Sequence, residues 1–386
     1  MARLRSITNA GWAVLIIGVA CYFGGWWLGW LELMIVAAGC GIVLVFALIA
    51  VLGRFPYAIE RSIEPRRLTV GQDAFGFLEV SNTGRVRAFP RTASDAFGDR
   101  PIPVKLPALR AGATHDVRYP LPTDARGIFD VGPVTVARAD PLGLLRRERT
   151  YGEVDQFWVY PRTHTLRLSA AGITKDLDGP TSDSSPQGGV AFHTIRPYEM
   201  GDDYRLVHWR STAKRGGELM VRHFVDNRRP QLTVVLDTLA ESYDVPESFE
   251  LAVEVVASLS AAAQRVGMPA SLHGATATGD AFSGASLGAH LDEAAAVQLQ
   301  PTVAVSDLLS ALSRATAQTT TLVLVTGPAD AAAIDVAMQP VRRIPNLMVI
   351  RCAPDGADVP SPHPSMQTLD VASGAQFVAA WDVSQR

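Results

Sequence analysis

The stretch QLTVVLDTLAESYDVPESFELAVEVVASLSAAA, residues 231–263, joins two unlike patterns. Its first part, LTVVLD, lacks the polar alternation of a half-exposed strand, so it is predicted to be a strand buried on both faces. In the second part Phe249, Ala252, Val253, Val256, Leu259 and Ala263 share one helical face, opposite Glu250 and Glu254. The pairing repeats downstream. TLVLVTG (321–327) and LMVIRCA (347–353) read as further buried strands, and 305–317 and 331–343 as further helices. Residues 231–386 are therefore expected to form a doubly wound α/β domain, with any ligand site beyond the carboxyl ends of its strands.

Upstream, residues 55–165 show no sustained helical period. Val117, Tyr119 and Leu121 alternate with Asp116, Arg118 and Pro120, the two-residue period of a half-buried strand. Turn chemistry separates such runs at 81–84, 124–127 and 140–143. About a hundred residues of this kind suggest an immunoglobulin-like β-sandwich. Residues 166–230 join the two regions, and within them GPTSDSSPQGG (179–189) has nothing to bury and reads as a linker.

Residues 1–54 are different again. After Arg5 the next charge is Glu32, and after Glu32 it is Arg54, which leaves two uncharged stretches, 11–30 and 33–52. A helix needs roughly 20 apolar residues to cross the hydrocarbon core, so both can span it. Only Leu31-Glu32 separates them, which predicts a transmembrane helical hairpin with Trp26, Trp27 and Trp30 as an aromatic belt at its turn. Arg3 and Arg5 before it, and Arg54, Arg61, Arg66 and Arg67 after it, place both ends in the cytoplasm by the positive-inside rule. A signal peptide is a poorer reading, because apolar sequence continues past Cys40 to Leu52.

Composition removes other classes. A net charge of −3 argues against a nucleic-acid binder, and 48% hydrophobic against 19% charged residues argues against dominant disorder. Cys21, Cys40 and Cys352 are too scattered for a disulfide framework or a cysteine metal site. Cys21 and Cys40 read as small apolar lining of the two spans.

The most unusual stretch is RPYEMGDDYRLVHWRSTAKRGGELMVRHF, residues 196–224, which follows neither a helical nor an ordinary strand pattern. Arg196, Tyr198, Gly201, Asp202, Asp203, Arg205, Trp209, Ala213, Gly216, Leu219, Val221, Arg222 and Phe224 give it the form RxYxxGDDxRx(I/V)xW, then Ala-basic-Gly, then LxVRxF. In this the chain resembles the domain of unknown function 58 family. The likeness extends to RGIFDVGPV (126–134), DPLGLL (140–145), VYPR (159–162) and the amino-terminal hairpin. The resemblance implies a membrane-anchored protein with a von Willebrand factor A-like domain. It also implies two partners, a MoxR-type AAA+ ATPase and a transglutaminase-like membrane protein, besides the lipid bilayer.

Such a domain holds a divalent metal with Asp-x-Ser-x-Ser after its first strand and a Thr and an Asp from later loops, because a hard cation needs converging oxygens. Here Asp237 is followed by Leu239 and Glu241 at the hydroxyl positions, and Thr326 by Gly327-Pro328. No metal or other cofactor is expected at this degenerate site of Asp237, Glu241 and Thr326. His193, His208 and His223 lie too far apart for a helical zinc motif, and GxxxxGK[ST] is missing. No GxSxG nucleophile elbow is assigned, although residues 284–288 (GASLG) carry those letters. No catalytic residue is assigned. The expected function is a membrane-tethered, non-enzymatic interaction or assembly factor, with Arg196, Tyr198, Gly201, Asp202, Asp203, Arg205, Trp209, Arg210 and Arg222 as its signature and possible partner-binding residues. Of these, Asp202, Asp203, Arg205, Trp209, Arg210 and Arg222 are expected to form one cluster, an ion-pair framework with Trp209 as a packed anchor, a docking surface, or both. The alternative is a cell-envelope hydrolase or transferase using Asp202, Asp203 and the nearby histidines.

Overall fold

The structure, a computed structural model, describes residues 7–52, 55–168, 190–199, 202, 204–226, 231–274, 286–302, 305–315, 319–357 and 359–385, with backbone alone for 190–194, 222–226 and 314–315. The expected linker 179–189 lies outside the described residues. Contact density divides the α+β chain into two compact units, Met1–Tyr160 and Pro161–Arg386. The division falls before the expected boundary at 165.

The first unit opens with two long apolar helices, α1 (Asn9–Leu28) and α2 (Leu31–Val51). The side chain of Thr8 accepts from Gly11 N and starts α1 two residues before the hydropathy break, and Gly29, at φ 70°, ends it in the left-handed region that a side chain disfavours. Trp26, Trp27 and Trp30 stand exposed around the turn. Cβ of Cys40 on α2 lies 3.0 Å from the point where a Cβ on Gly18 of α1 would be, so small residues line this approach. At the other end the turn DPLGLL packs Leu144 and Leu145 against Ala47 and Val51. Thr8 N donates to Leu144 O at 2.9 Å, and a Cβ on Gly11 would lie 2.3 Å from that same oxygen. The family-like motif here is thus a wedge that seats the helix ends.

The strands that follow are β1 (Tyr57–Glu64), β2 (Arg67–Thr69), β3 (Phe75–Asn82), β4 (Arg91–Phe97), β5 (Arg100–Leu106), β6 (Thr114–Pro120), β7 (Gly127–Ala139), β8 (Arg146–Tyr151) and β9 (Asp155–Tyr160). One sheet has the order β1-β3-β6, and the other β2-β9-β7-β4-β5 with β8 also paired to β7. Inward residues of both sheets share one core that includes Ile59, Ile63, Leu78, Leu106, Val136 and Phe157. Each such side chain contributes roughly 1.5–3 kcal/mol on burial. The same two-residue period drives Arg61 inward between Ile59 and Ile63, and Asp95 inward between Ala93 and Phe97. There Arg61 contacts Asp95 at 3.3 Å and Asp155 at 2.6 Å, and the Tyr119 hydroxyl donates to Asp95. Burial pushes the Asp95 carboxyl up, and the Tyr119 hydrogen bond and Arg61 charge pull it down again.

The second unit contains β10 (Val190–Pro197), α3 (Trp209–Lys214), β11 (Met220–Asp226), β12 (Leu232–Leu236), α4 (Pro246–Arg265), β13 (Ala270–His273), α5 (Leu287–Ala296), α6 (Val305–Ala315), β14 (Thr321–Thr326), α7 (Ala331–Met338), β15 (Asn346–Cys352), β16 (Gln367–Val371) and α8 (Gly374–Ser384). Its main sheet is wholly parallel, in the order β13-β12-β14-β15-β16. Leu232, Val234 and Leu236 enter a core with residues of α4, α5 and α8, and Val235 enters another with residues of α6 and α7. That two-sided burial is why LTVVLD shows no alternation. The expected helix 331–343 stops at Met338, where Pro340 fits the short 3₁₀ turn that follows but would break an α-helix. Burial on α4 extends well beyond the expected face, because residues 161–168 lie across it. His164 N donates to Ser258 Oγ, and the His164 ring meets Glu254 at 3.3 Å. Leu166 and Leu168 join the core, and Trp381 Nε1 donates to Arg167 O at 3.0 Å.

Candidate functional site

The stretch 196–224 is a β-ribbon carrying an excursion, which corrects the reading that it follows no strand pattern. β10 and β11 pair antiparallel from Val190↔Asp226 to Pro197↔Met220. Between them the chain makes a 3₁₀ turn at Tyr204–Leu206 and then α3. Local bonds hold the excursion closed: His208 N donates to Met220 O at 2.7 Å and Met220 N to Thr212 Oγ1 at 3.0 Å. Val207, Thr212, Met220 and Val221 are buried beneath it. Gly216 and Gly217, at φ 70° and 98°, make the return turn that residues with a Cβ disfavour.

Asp202 is held at the base. Arg196 donates to both its oxygens, at 2.9 and 2.6 Å, and Glu199 N adds a bond of 2.9 Å. This forked pairing holds the Arg196 guanidinium above its usual value. Tyr198 stacks on Tyr204 with ring centroids 5.2 Å apart. Trp209 is 66% exposed, and Arg205 and Arg210 are exposed with it. The six residues of α3 turn Thr212 inward, which puts Trp209, Arg210 and Lys214 on the outside, so Trp209 is no packed anchor. Gly201 and Asp203 and the side chains of Arg222, His193 and His223 lie outside the described residues. His208 Nδ1 is 2.8 Å from Ser211 Oγ.

The second candidate lies where the strand order reverses, between β12 and β14. Asp237 is buried there. Its Oδ2 accepts from Thr326 Oγ1 at 2.7 Å and its Oδ1 from Leu239 N at 3.0 Å, and its carbonyl accepts from the Tyr243 hydroxyl at 2.7 Å. A Cβ on Gly327 would fall 1.7 Å from Ser242 O, so the loops close directly over the strand ends. Asp237 and Thr326 are thus brought together as direct partners, with Glu241 exposed nearby in sequence. Among the described residues no three His, Cys, Asp or Glu side chains converge as metal ligands.

A family model described as "Protein of unknown function DUF58" matches residues 194–327. The chain carries a DUF58 domain. That domain runs from the ribbon to Gly327, so it holds both the exposed excursion and the Asp237–Thr326 pair. No curated protein matches the sequence. Solved structures similar to parts of the chain include the alkylpurine DNA glycosylase AlkC of Pseudomonas fluorescens, with 14% identity, coverage of 39% of this chain and 44% of that one, and a TM-score of 0.24. The RO (RSR) protein of Deinococcus radiodurans gives 18%, 42%, 35% and 0.28 in the same order. The CARDB domain of the PF1109 protein of Pyrococcus furiosus gives 12%, 28%, 97% and 0.20. The chain spans under half the length of the first of these, and scores this low carry no functional argument.

The DUF58 domain yields a direct test at its strand ends. With both Asp237 oxygens occupied by protein donors, calorimetric titration of the full chain with magnesium or manganese is expected to give no stoichiometric heat. Stoichiometric binding abolished by Asp237→Ala would contradict this.

Proposed function

We propose that the protein is a membrane-anchored, non-enzymatic interaction or assembly factor whose DUF58 domain docks a protein partner, in the first instance a MoxR-type AAA+ ATPase and with it a transglutaminase-like membrane protein. The observation that carries this is Trp209, a large aromatic held at the surface next to Arg210. Exposed Trp and Arg are the residue types that most often anchor interfaces. From Tyr204 to Gly217 the excursion carries Arg205, Arg210, Lys214 and Arg215 and no acid, and Arg196 already neutralises Asp202 beside it. An enzyme built on Asp202 would first have to free that carboxylate from Arg196 and from Glu199 N. Capture from detergent-solubilised membranes tests the proposal: the wild-type chain recovers the ATPase, and Trp209→Ala with Arg210→Ala loses it at unchanged thermal stability. Equal recovery would sink the assignment.

The finer architecture belongs to the same proposal. Two sheets around one core support an immunoglobulin-like sandwich, and five parallel strands reversing order beside Asp237 support a von Willebrand factor A-like domain. We place both units in the cytoplasm. Arg61 adds little to that argument, since Asp95 and Asp155 hold it in the core. Arg138, whose Nε donates to Ala50 O at 2.8 Å in the last turn of α2, supports it better. Reporter fusions after Gln385 and at Glu32 are expected on opposite sides of the membrane, the first inside. The reverse result would overturn the orientation.

A further inference from the structure

At the end of the β unit that adjoins α2, positive charge gathers with little to balance it. Arg138 on β7 and Arg147 on β8 face one another in register, an arrangement that is destabilising for like charges. Arg91, at the start of the neighbouring β4, lies beside the Tyr57 hydroxyl and repels Arg138. Burial, then Arg91 and Arg147, hold the Arg138 guanidinium below its usual value. Among the described residues no carboxylate pairs with these three. The nearby acids are engaged elsewhere: Glu148 with Arg146 at 2.7 Å, and Asp140 with the backbone N–H groups of Leu142 and Leu145. Tyr57 also ties down the adjoining loop, donating to Phe89 O at 2.8 Å. That loop exposes Val86 (73%) and Phe89 (74%) between and beside Arg85 and Arg87.

We propose that Arg91, Arg138 and Arg147 bind the phosphate of an anionic phospholipid headgroup, with Val86 and Phe89 dipping into the same leaflet. Three features favour a lipid over other anions. Arg138 is bonded to the last turn of an apolar span, so the row is fixed in depth where α2 leaves the hydrocarbon. Guanidinium forks match phosphate oxygens. The apolar side chains flanking the arginines have no reason to face water in the same place, whereas a membrane interface takes both. The inference rests on the reading that α1 and α2 cross a bilayer.

The test uses the full chain in neutral detergent, with thermal unfolding followed as phosphatidylglycerol or phosphatidylcholine is added to the micelles. Phosphatidylglycerol is expected to raise Tm and phosphatidylcholine to leave it unchanged. Arg147→Gln should shift the phosphatidylglycerol midpoint about fivefold, and Arg91→Gln with Arg147→Gln about 25-fold. Because these changes remove like-charge repulsion, their lipid-free Tm should equal or exceed that of the wild type. An undiminished phosphatidylglycerol gain in the double variant, or an equal gain from inorganic phosphate alone, would overturn the proposal. If the variants do not fold, the wild type decides: native mass spectrometry should show phosphatidylglycerol retained over phosphatidylcholine, and equal retention overturns it. Carbonate washing of membranes separates the underlying reading. A chain released by carbonate refutes the membrane span, whereas a chain that resists release without preferring phosphatidylglycerol refutes the headgroup site alone.

Discussion

Asp95→Ala is expected to destabilise the β unit by about 3–5 kcal/mol, because it strands the buried Arg61 guanidinium without its innermost partner. The side chains of Arg61 and Asp95 are 3% and 0% exposed; of the partners that remain, Asp155 lies nearer the surface at 31%, and Glu153 offers only its carbonyl oxygen, at 2.8 Å. The pH dependence carries a sign that separates this from a simple stabilising bridge. A carboxyl whose folded pKa lies above its unfolded value contributes stability below the unfolded pKa, near 3.9, and loses that contribution as pH rises through the folded pKa. Burial raises the folded pKa of Asp95, so the ionised form is the costly one at neutral pH. Replacing Arg61 by Met and Asp95 by Leu together should therefore cost far less than Asp95→Ala alone. Urea denaturation of the full chain in detergent checks both. A double variant as unstable as the single one would contradict this account of the core.

Trp381→Ala is expected to cost the second unit a similar 3–5 kcal/mol. Trp381 is 1% exposed on α8, packs with Phe377 at 6.0 Å between ring centroids, and sits in the core that includes Leu166 and Leu168. Its indole N–H also bonds Arg167 O, so truncation leaves both a cavity and a carbonyl without that donor. Trp381→Phe keeps most of the volume and should cost nearer 1–2 kcal/mol, mainly the lost hydrogen bond. Equal losses for Ala and Phe would mean that the hydrogen bond, and not the packing, fastens residues 161–168.

These two clusters mark where sequence reading stops. LTVVLD, TLVLVTG and LMVIRCA were legible because burial on both faces leaves a local signature. The apolar helices were legible because length and charge are local too. Arg61 and Asp95 lie 34 residues apart on strands of different sheets, and no period links them. Arg61 instead reads as a positive flank of the hairpin. Residues 161–168 have no periodicity, and their role comes from α4 and α8 far along the chain. At the candidate site the residue types of 196–224 were readable, but their disposition was not. A stretch rich in opposite charges suggests a closed ion-pair framework, whereas the fold spends Asp202 on Arg196 and turns Trp209 and Arg210 outward. The signal that could have found this is the run from Tyr204 to Gly217, with four cations and no acid. The arginine row beside α2 was hidden for a related reason: Arg91, Arg138 and Arg147 are scattered in sequence and meet only through strand register.

The central claim is that the exposed excursion of the DUF58 domain is a docking surface. The most direct measurement is the Kd between the full chain in detergent and the purified MoxR-type AAA+ ATPase from the same organism, compared for wild type and Trp209→Ala. The account predicts measurable binding that weakens at least about 30-fold when Trp209 is removed, the loss expected for an interface hot spot, with Tm unchanged. Unaltered affinity in the variant would contradict it.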